Sequence, residues 1–253
     1  MKKFKGLFDK ITEYVFPLTH TCNNCGREIF SGEYFCKECE ESIIYNDKII
    51  CDHCGRRTFN AENYCYSCAG RETYFVKARS AFVYAPPIST MIARLKYTNK
   101  KYLAKIFAKY LSFTYYKNFM CCDAVTFTPM TDERKEERGY NQAEVLAEEF
   151  CQIVGIPIIN NVLVKIKETP RQATIPTAKE RRENLKGSFK VQNKKEVEGK
   201  NILLIDDVMT TGATVETLCE LLNKAGAKSV TVLTVASVSK GPEGEIRQVG
   251  DKN

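Results

Sequence analysis

The chain has 253 residues, 43% hydrophobic and 27% charged, with a net charge of +7. That is enough for one large domain plus a small one, in the composition range of soluble globular proteins. No apolar run approaches the ~20 residues that span a bilayer, so no transmembrane helix is expected.

Residues 1–16 start with charge, but Asp9, Lys10 and Glu13 interrupt the apolar residues, which makes a poor signal peptide. Phe4, Leu7, Phe8, Ile11 and Val15 instead follow helical spacing. An amphipathic helix is expected over 1–19, and the cytoplasm is the expected location.

Eight of the twelve cysteines fall within residues 22–68. "CNNCGREIFSGEYFCKEC" (22–39) and "CDHCGRRTFNAENYCYSC" (51–68) are one unit written twice, both C-x2-C-x10-C-x2-C. Gly26 and Gly55, Arg27 and Arg56, Phe30 and Phe59, and Glu33 and Glu62 also match. A CxxC turn offers two thiolates to one tetrahedral ion, and four close a structural site. The spacing predicts two zinc ions, in a small domain over 20–72. One is assigned Cys22, Cys25, Cys36 and Cys39, the other Cys51, Cys54, Cys65 and Cys68. A cross-braced pairing has the same spacing. His20 and His53, the only histidines, are read as bystanders because eight thiolates already satisfy two ions.

From residue 73 to 122 there is no acidic residue, but nine basic ones interleaved with tyrosines. An anionic partner fits that window. Lys96, Tyr97, Lys101, Lys105 and Lys109 are the candidates for binding single-stranded DNA, cations beside stacking platforms. The same window also reads as core tyrosines and solvated lysines.

An α/β domain is expected over 73–238. "ARSAFVYA" (78–85) reads as a strand. "PISTMIARLKY" (87–97) and "KKYLAKIFAKYLSFTYY" (100–116) read as helices, the second with Lys101, Lys105 and Lys109 opposite its apolar face. "DAVTFTP" (123–129) is a strand, "NQAEVLAEEFCQIV" (141–154) a helix and "NVLVKIK" (161–167) a short strand. "NILLIDD" (201–207), "ATVETLCELLNKAG" (213–226) and "SVTVLTVAS" (229–237) read as strand, helix, strand. Alternation of this kind predicts a largely parallel sheet. Residues 239–253 are polar and expected to fray.

In such sheets ligands bind beyond the carboxyl ends of the strands. Asp206 and Asp207 are placed at one such end, before a turn that opens a helix. The free N–H groups there, the small Gly212 and Ala213, and the hydroxyls of Thr210, Thr211 and Thr214 make an anion cradle. Carboxylates for hydroxyls beside a pocket for phosphate fit a ribose 5-phosphate. Simple helix capping would favour one acid rather than two.

"ILLIDDVMTTGAT" (202–214) resembles the phosphoribosyl-pyrophosphate (PRPP) motif of type I phosphoribosyltransferases. "RGYNQAEVLA" (138–147), "QATIPTAKERRENLKGSF" (172–189) and the cysteine repeats ahead of "ARLKY" (93–97) resemble the ComF family of competence-associated proteins. The resemblance covers roughly residues 1–237. It implies a double zinc ribbon followed by a phosphoribosyltransferase-like α/β domain. Asp206 and Asp207 would face the ribose hydroxyls, Thr210, Thr211, Gly212, Ala213 and Thr214 would hold the 5-phosphate, and Val208 and Met209 between them would belong to the same PRPP-binding set. Arg134 and Arg138, in the loop after "TFTPM", would meet pyrophosphate, and 168–187, with Arg171, Arg181 and Arg182, would form a mobile hood. Mg²⁺ would accompany PRPP. Some purine-salvage members carry an Asp where this chain has Thr210, which counts against purine salvage here. The resemblance further implies handling of single-stranded DNA with a helicase-like partner. The alternatives are an active phosphoribosyltransferase and a PRPP sensor without turnover.

Overall fold

A computed structural model describes residues 20–29, 33–47, 49–58, 64–65, 67–70, 72–118, 120–169 and 183–238. The helix expected at 1–19, the tail at 239–253, and Arg171, Arg181 and Arg182 lie outside the described residues. The chain divides into two units, Met1–Ile43 and Ile44–Asn253.

In the first unit, β1 (His20–Thr21) pairs antiparallel with β2 (Glu28–Ile29) across the first cysteine turn. Cys22 N donates to Arg27 O at 2.7 Å, and Gly26 N to Cys22 O at 2.9 Å. A short helix, α1 (Lys37–Ser42), carries Cys39 on its buried side.

The second repeat reproduces those bonds in the other unit: Cys51 N donates to Arg56 O at 2.8 Å, Gly55 N to Cys51 O at 2.9 Å. It packs into the apolar core of its own unit. Cys51 and Cys54, 0% and 2% exposed, belong to the same apolar cluster as Leu218 and Val232. Gly55 shows why the sequence needs glycine there. Its φ is +66°, and a Cβ would lie 2.4 Å from the Ala78 carbonyl oxygen. The division into units falls between the two repeats.

The main sheet contains β3 (Lys77–Val83), β4 (Ala124–Phe127), β7 (Asn201–Met209) and β8 (Ser229–Ser237), in the order β3-β8-β7-β4. All its pairings are parallel. The interior strand β7 is apolar on both faces because both are covered, and Ile202 to Ile205 are all 0% exposed. The helices α2 (Ile88–Tyr97) and α3 (Tyr102–Lys117) connect β3 to β4. Leu103, Ile106, Phe107 and Leu111 of α3 are buried while Lys105 and Lys109 are exposed, as the helical spacing predicts.

After β4 come α4 (Asp132–Arg138) and α5 (Gln142–Val154). The segment read as a loop around Arg134 is thus a helix. Thr131 caps it by accepting from the Arg134 amide at 3.4 Å, and Asp132 and Glu133 lie in its favourable first turn. Asn141 caps α5 through the Ala143 amide at 3.0 Å. The strand expected over 161–167 forms as β5 (Leu163–Lys165), but it pairs antiparallel with β6 (Phe189–Val191) in a separate sheet.

The last helix, α6 (Ala213–Lys224), joins β7 to β8. The acids lie two residues inside β7, which runs on to Met209. What opens the sheet beside them is the end of β4. Its last residue, Phe127, pairs with Ile205, while β8 continues to Ser237 opposite Met209. Asp206 and Asp207 therefore stand where one neighbouring strand has already left. No helix of the described residues is long and apolar enough to cross a membrane.

Candidate functional site

Two kinds of site are present. The first is the pair of cysteine quartets. The sulfurs of Cys22, Cys25, Cys36 and Cys39 converge within 4.8 Å of one another, and so do those of Cys51, Cys54, Cys65 and Cys68. Cys25 and Cys36 Sγ are 3.7 Å apart, and Cys54 and Cys65 Sγ 3.6 Å. Four thiolates around one tetrahedral zinc are separated by about 3.8 Å, so the donor sets fit that ion. The quartets are consecutive, not cross-braced, and none of the cysteines forms a disulfide. His53 stays out of the quartet, stacked on Phe75 with ring centroids 4.7 Å apart.

The second site is a cavity of about 380 Å³ at the carboxyl end of the main sheet. Asp206 and Asp207 enter it from β7, 7% and 4% exposed. The Asp207 amide donates to Asp206 Oδ1 at 2.8 Å, which links the pair. Burial, and then the neighbouring Asp207 charge, push the Asp206 carboxyl up to about 7. Lys96, from the end of α2, places Nζ 2.7 Å from Asp207 Oδ2. Burial works against the lysine's charge, but the acids outweigh it and hold its pKa above the ordinary value. One lysine against two acids leaves the cluster short of one positive charge when both are ionised.

Lys96 was grouped by sequence with the DNA candidates, yet its partner is Asp207 in this cavity. Tyr97 also lines it, with the Arg138 guanidinium 5.1 Å from its ring centre. If the lysine's main work is to balance the acids, Lys96→Met should destabilise the protein by about 1–3 kcal/mol at pH 8. Adding Asp207→Asn should recover most of that loss. Urea unfolding of the wild type, both single variants and the double reads the coupling directly; additive losses would refute it.

The far wall is cationic. Arg134 and Arg138 project from α4, and Lys165 from β5. Arg134 lies 3.7 Å from Glu168, and Lys165 lies 3.6 Å from the same carboxylate. Burial would raise Glu168, but the Thr131 hydroxyl and these two cations hold it below the ordinary range. Lys165 itself is lowered by burial, partly offset by Glu168. Arg138 Nη1 donates to Gln142 Oε1. Lys165 and Gln142 were missed from the sequence. The available signal for Lys165 was a lysine inside the apolar run "VLVKI".

Beyond the acids, Thr210 to Thr214 enclose a notch of about 30 Å³. Gly212 is the residue before α6, with φ +85° and no side-chain cap on the helix. The Ala213 amide meets the Thr211 hydroxyl at 3.4 Å, and the amides that follow it in the first helical turn can be offered to an anion. Val208 and Thr210 line both cavities, while Met209 is 1% exposed and packs into the apolar core.

The remaining DNA candidates lie elsewhere. Lys101, just before α3, places Nζ 4.6 Å from the Tyr140 ring centre. Lys105 and Lys109 are exposed on α3, as are Tyr102, Phe113 and Tyr116. Tyr110 and Tyr115 are packing residues: Tyr110 meets Phe82 edge-on at 4.9 Å, and Tyr115 meets Phe150 at 5.6 Å.

The family model for the phosphoribosyl transferase domain matches residues 136–249, and that for the double zinc ribbon domain matches residues 11–69. Competence protein F of Haemophilus influenzae is 33% identical over 159 residues, 60% of this chain and 69% of that protein. Competence protein ComFC of Streptococcus pneumoniae is 32% identical over 168 residues, 65% of this chain and 70% of that one. A solved glutamine PRPP amidotransferase from B. subtilis is 22% identical with a TM-score of 0.35, covering 53% of this chain and 25% of that one. The phosphoribosyltransferase-like α/β fold, the zinc-ribbon match and these two competence relatives agree: the chain belongs to the ComF family.

Proposed function

We propose that this chain holds two structural zinc ions, binds PRPP through its phosphoribosyltransferase-like site, and acts in DNA uptake or use, handling single-stranded DNA. One observation carries the ligand assignment. The paired acids and the threonine turn, contiguous in sequence, meet cations from three other elements (α2, α4 and β5) in one cavity. Asp206 and Asp207 suit a ribose diol, the turn before α6 suits a 5-phosphate, and Arg134, Arg138 and Lys165 suit pyrophosphate. Mg²⁺ is a hard cation, and the carboxylate oxygens are donors of the kind it takes. When bound it would offset pyrophosphate charge. The DNA role draws on the relatives, which are named as competence proteins.

Calorimetric titration of the zinc-loaded protein with Mg-PRPP tests the reading, run with and without single-stranded DNA and with pyrophosphate release assayed alongside. Micromolar binding is the expected result. No heat and no competition by ribose 5-phosphate would remove PRPP from the account. A second reading, turnover with pyrophosphate as leaving group, has a specific observation in its favour. Lys165, Arg134 and Arg138 line one cavity with the paired acids, and fixed charges of this kind would lower the barrier to departure of an anionic leaving group. Pyrophosphate release above the rate without protein would favour it.

The exposed lysines on and just before α3 give the DNA proposal its own test. Affinity for single strands should fall with salt, with a log–log slope of roughly −0.7 per phosphate neutralised. Changing Lys101, Lys105 and Lys109 together to Glu should flatten that slope and leave PRPP binding intact. Anisotropy that shows a wild-type slope in the triple variant would move the DNA surface off this helix.

A further inference from the structure

Arg56 is 4% exposed, and its Nε is buried without an acceptor. Its charge acts on the Cys54 thiol two residues away, but among the described residues its guanidinium has no hydrogen-bond or carboxylate partner. The fold does satisfy a buried arginine where that arginine is structural. Arg79, 7% exposed, donates to Asn118 Oδ1 at 2.8 Å, Asp52 O at 2.9 Å and Ala78 O at 2.8 Å. Arg56 instead ends against the turn that opens α6. One of its terminal nitrogens is 3.0 Å from where a Cβ on Gly212 would sit, so the missing side chain is what admits the guanidinium.

Two positive features thus face one turn: the N-terminus of a twelve-residue helix, whose Ala213 amide meets the Thr211 hydroxyl at 3.4 Å, and a buried guanidinium with no carboxylate partner. Left alone they raise each other's energy. A dianion at the turn neutralises both. We propose that Arg56, supplied by the second cysteine knuckle, is a phosphate-binding residue of the Thr210–Thr214 cradle, so that the zinc ribbon completes the anion site of the α/β domain. The ligand class is a phosphate monoester, which a guanidinium meets with two donors at once. Naming that monoester a phosphoribose rests on the function proposed above.

The knuckle fixes where Arg56 can reach. Its carbonyl accepts from Cys51 N at 2.8 Å, within the turn that carries Cys51 and Cys54. That turn is tied to the sheet by Ala78 N donating to His53 O at 2.8 Å, and by Asn46 Nδ2 donating to Gly55 O at 2.6 Å. Arg27, the matching residue of the first repeat, is paired on the surface with Glu38 at 2.7 Å. The same position in the repeat is a solvated ion pair in one copy and, in the other, a buried cation with no carboxylate partner among the described residues.

The test compares the zinc-loaded full chain with Arg56→Gln, Arg56→Met and Arg56→Lys. Inorganic phosphate, against chloride of equal ionic strength, should raise the melting temperature of the wild type. It should not raise that of Gln or Met, and should act in part on Lys. Ribose 5-phosphate should bind Gln or Met about ten- to a hundred-fold more weakly, with two zinc ions still counted per chain. A neutral variant that keeps its zinc and responds to phosphate as the wild type does would overturn the proposal, as would a wild type indifferent to phosphate. Asp206→Asn separates the two readings. If it leaves ribose 5-phosphate binding unchanged while phosphate stabilisation still depends on Arg56, the ribose assignment fails and the Arg56 site stands.

Discussion

Asp206→Asn should give a protein that is more stable at pH 8 and no longer holds its ligand. The stability half follows from the raised carboxyl. In the fold Asp206 titrates near 7, against 3.8 ordinarily. A raised acid binds its proton more tightly in the folded state, so stability falls as pH rises from about 4 to about 7. Above 7 the full penalty for the buried charge is present, and below 4 it is gone. Asparagine carries no charge at any pH. It leaves Asp207 and Lys96 as a balanced pair 2.7 Å apart, and its Oδ1 can still accept from the Asp207 amide. A shift from 3.8 to about 7 corresponds to about 4 kcal/mol, since each pKa unit is about 1.4 kcal/mol. Urea unfolding of both proteins from pH 4 to 9 measures it. The gain should be full at pH 8 and vanish near pH 4. A gain that is flat with pH, or a loss, would mean the carboxylate is not strained. The binding half has the same pivot. If the ionised acid accepts the ribose hydroxyls, wild-type affinity for Mg-PRPP should fall as pH drops through 7, and the variant should bind at least a hundred-fold more weakly at pH 8.

Losing one thiolate should matter far more in the second quartet than in the first. Cys54→Ser removes a ligand whose neighbours are core residues of the sheet, and Cys54 is itself 2% exposed. Cys25→Ser removes an exposed ligand from the other unit. Binding of structural zinc is worth about 10–16 kcal/mol in zinc-finger peptides near pH 7. That matches or exceeds the roughly 5–15 kcal/mol of a whole domain's stability. Cys54→Ser is therefore expected to abolish cooperative unfolding of the α/β unit or drop its midpoint by more than 10 °C. Cys25→Ser should release about one zinc and leave that midpoint within a few degrees. Metal analysis and hydrogen exchange along β7 check both. Equal protection of β7 in the two variants would mean that the second knuckle does not support the sheet.

The pH pivot and this asymmetry both depend on facts the sequence did not carry. The repeat itself was legible, and so were both quartets and the parallel sheet. A C-x2-C-x10-C-x2-C spacing states ligand number and separation, and a continuous apolar run such as Ile202 to Ile205 states burial on two faces. The motif from Asp206 to Thr214 was legible for the same reason, since its parts are adjacent in the chain. What required the tertiary structure was everything brought together from a distance. Lys96 looked like one lysine of a basic window until α2 delivered it to Asp207. Lys165 was passed over within the short strand expected at 161–167, and came to the cavity only with β5, which pairs with β6 rather than joining the main sheet. The helix around Arg134 was hidden because its charged residues leave no apolar period to detect; a threonine cap and a favourable first turn made it. Arg27 and Arg56 are the same residue in the written repeat. Only the packing of one knuckle against β3, at a glycine no side chain could replace, made Arg56 a buried cation at the turn of Gly212. Sequence spacing records local geometry, and the environment that sets charge, burial and partner belongs to contacts between segments far apart in the chain.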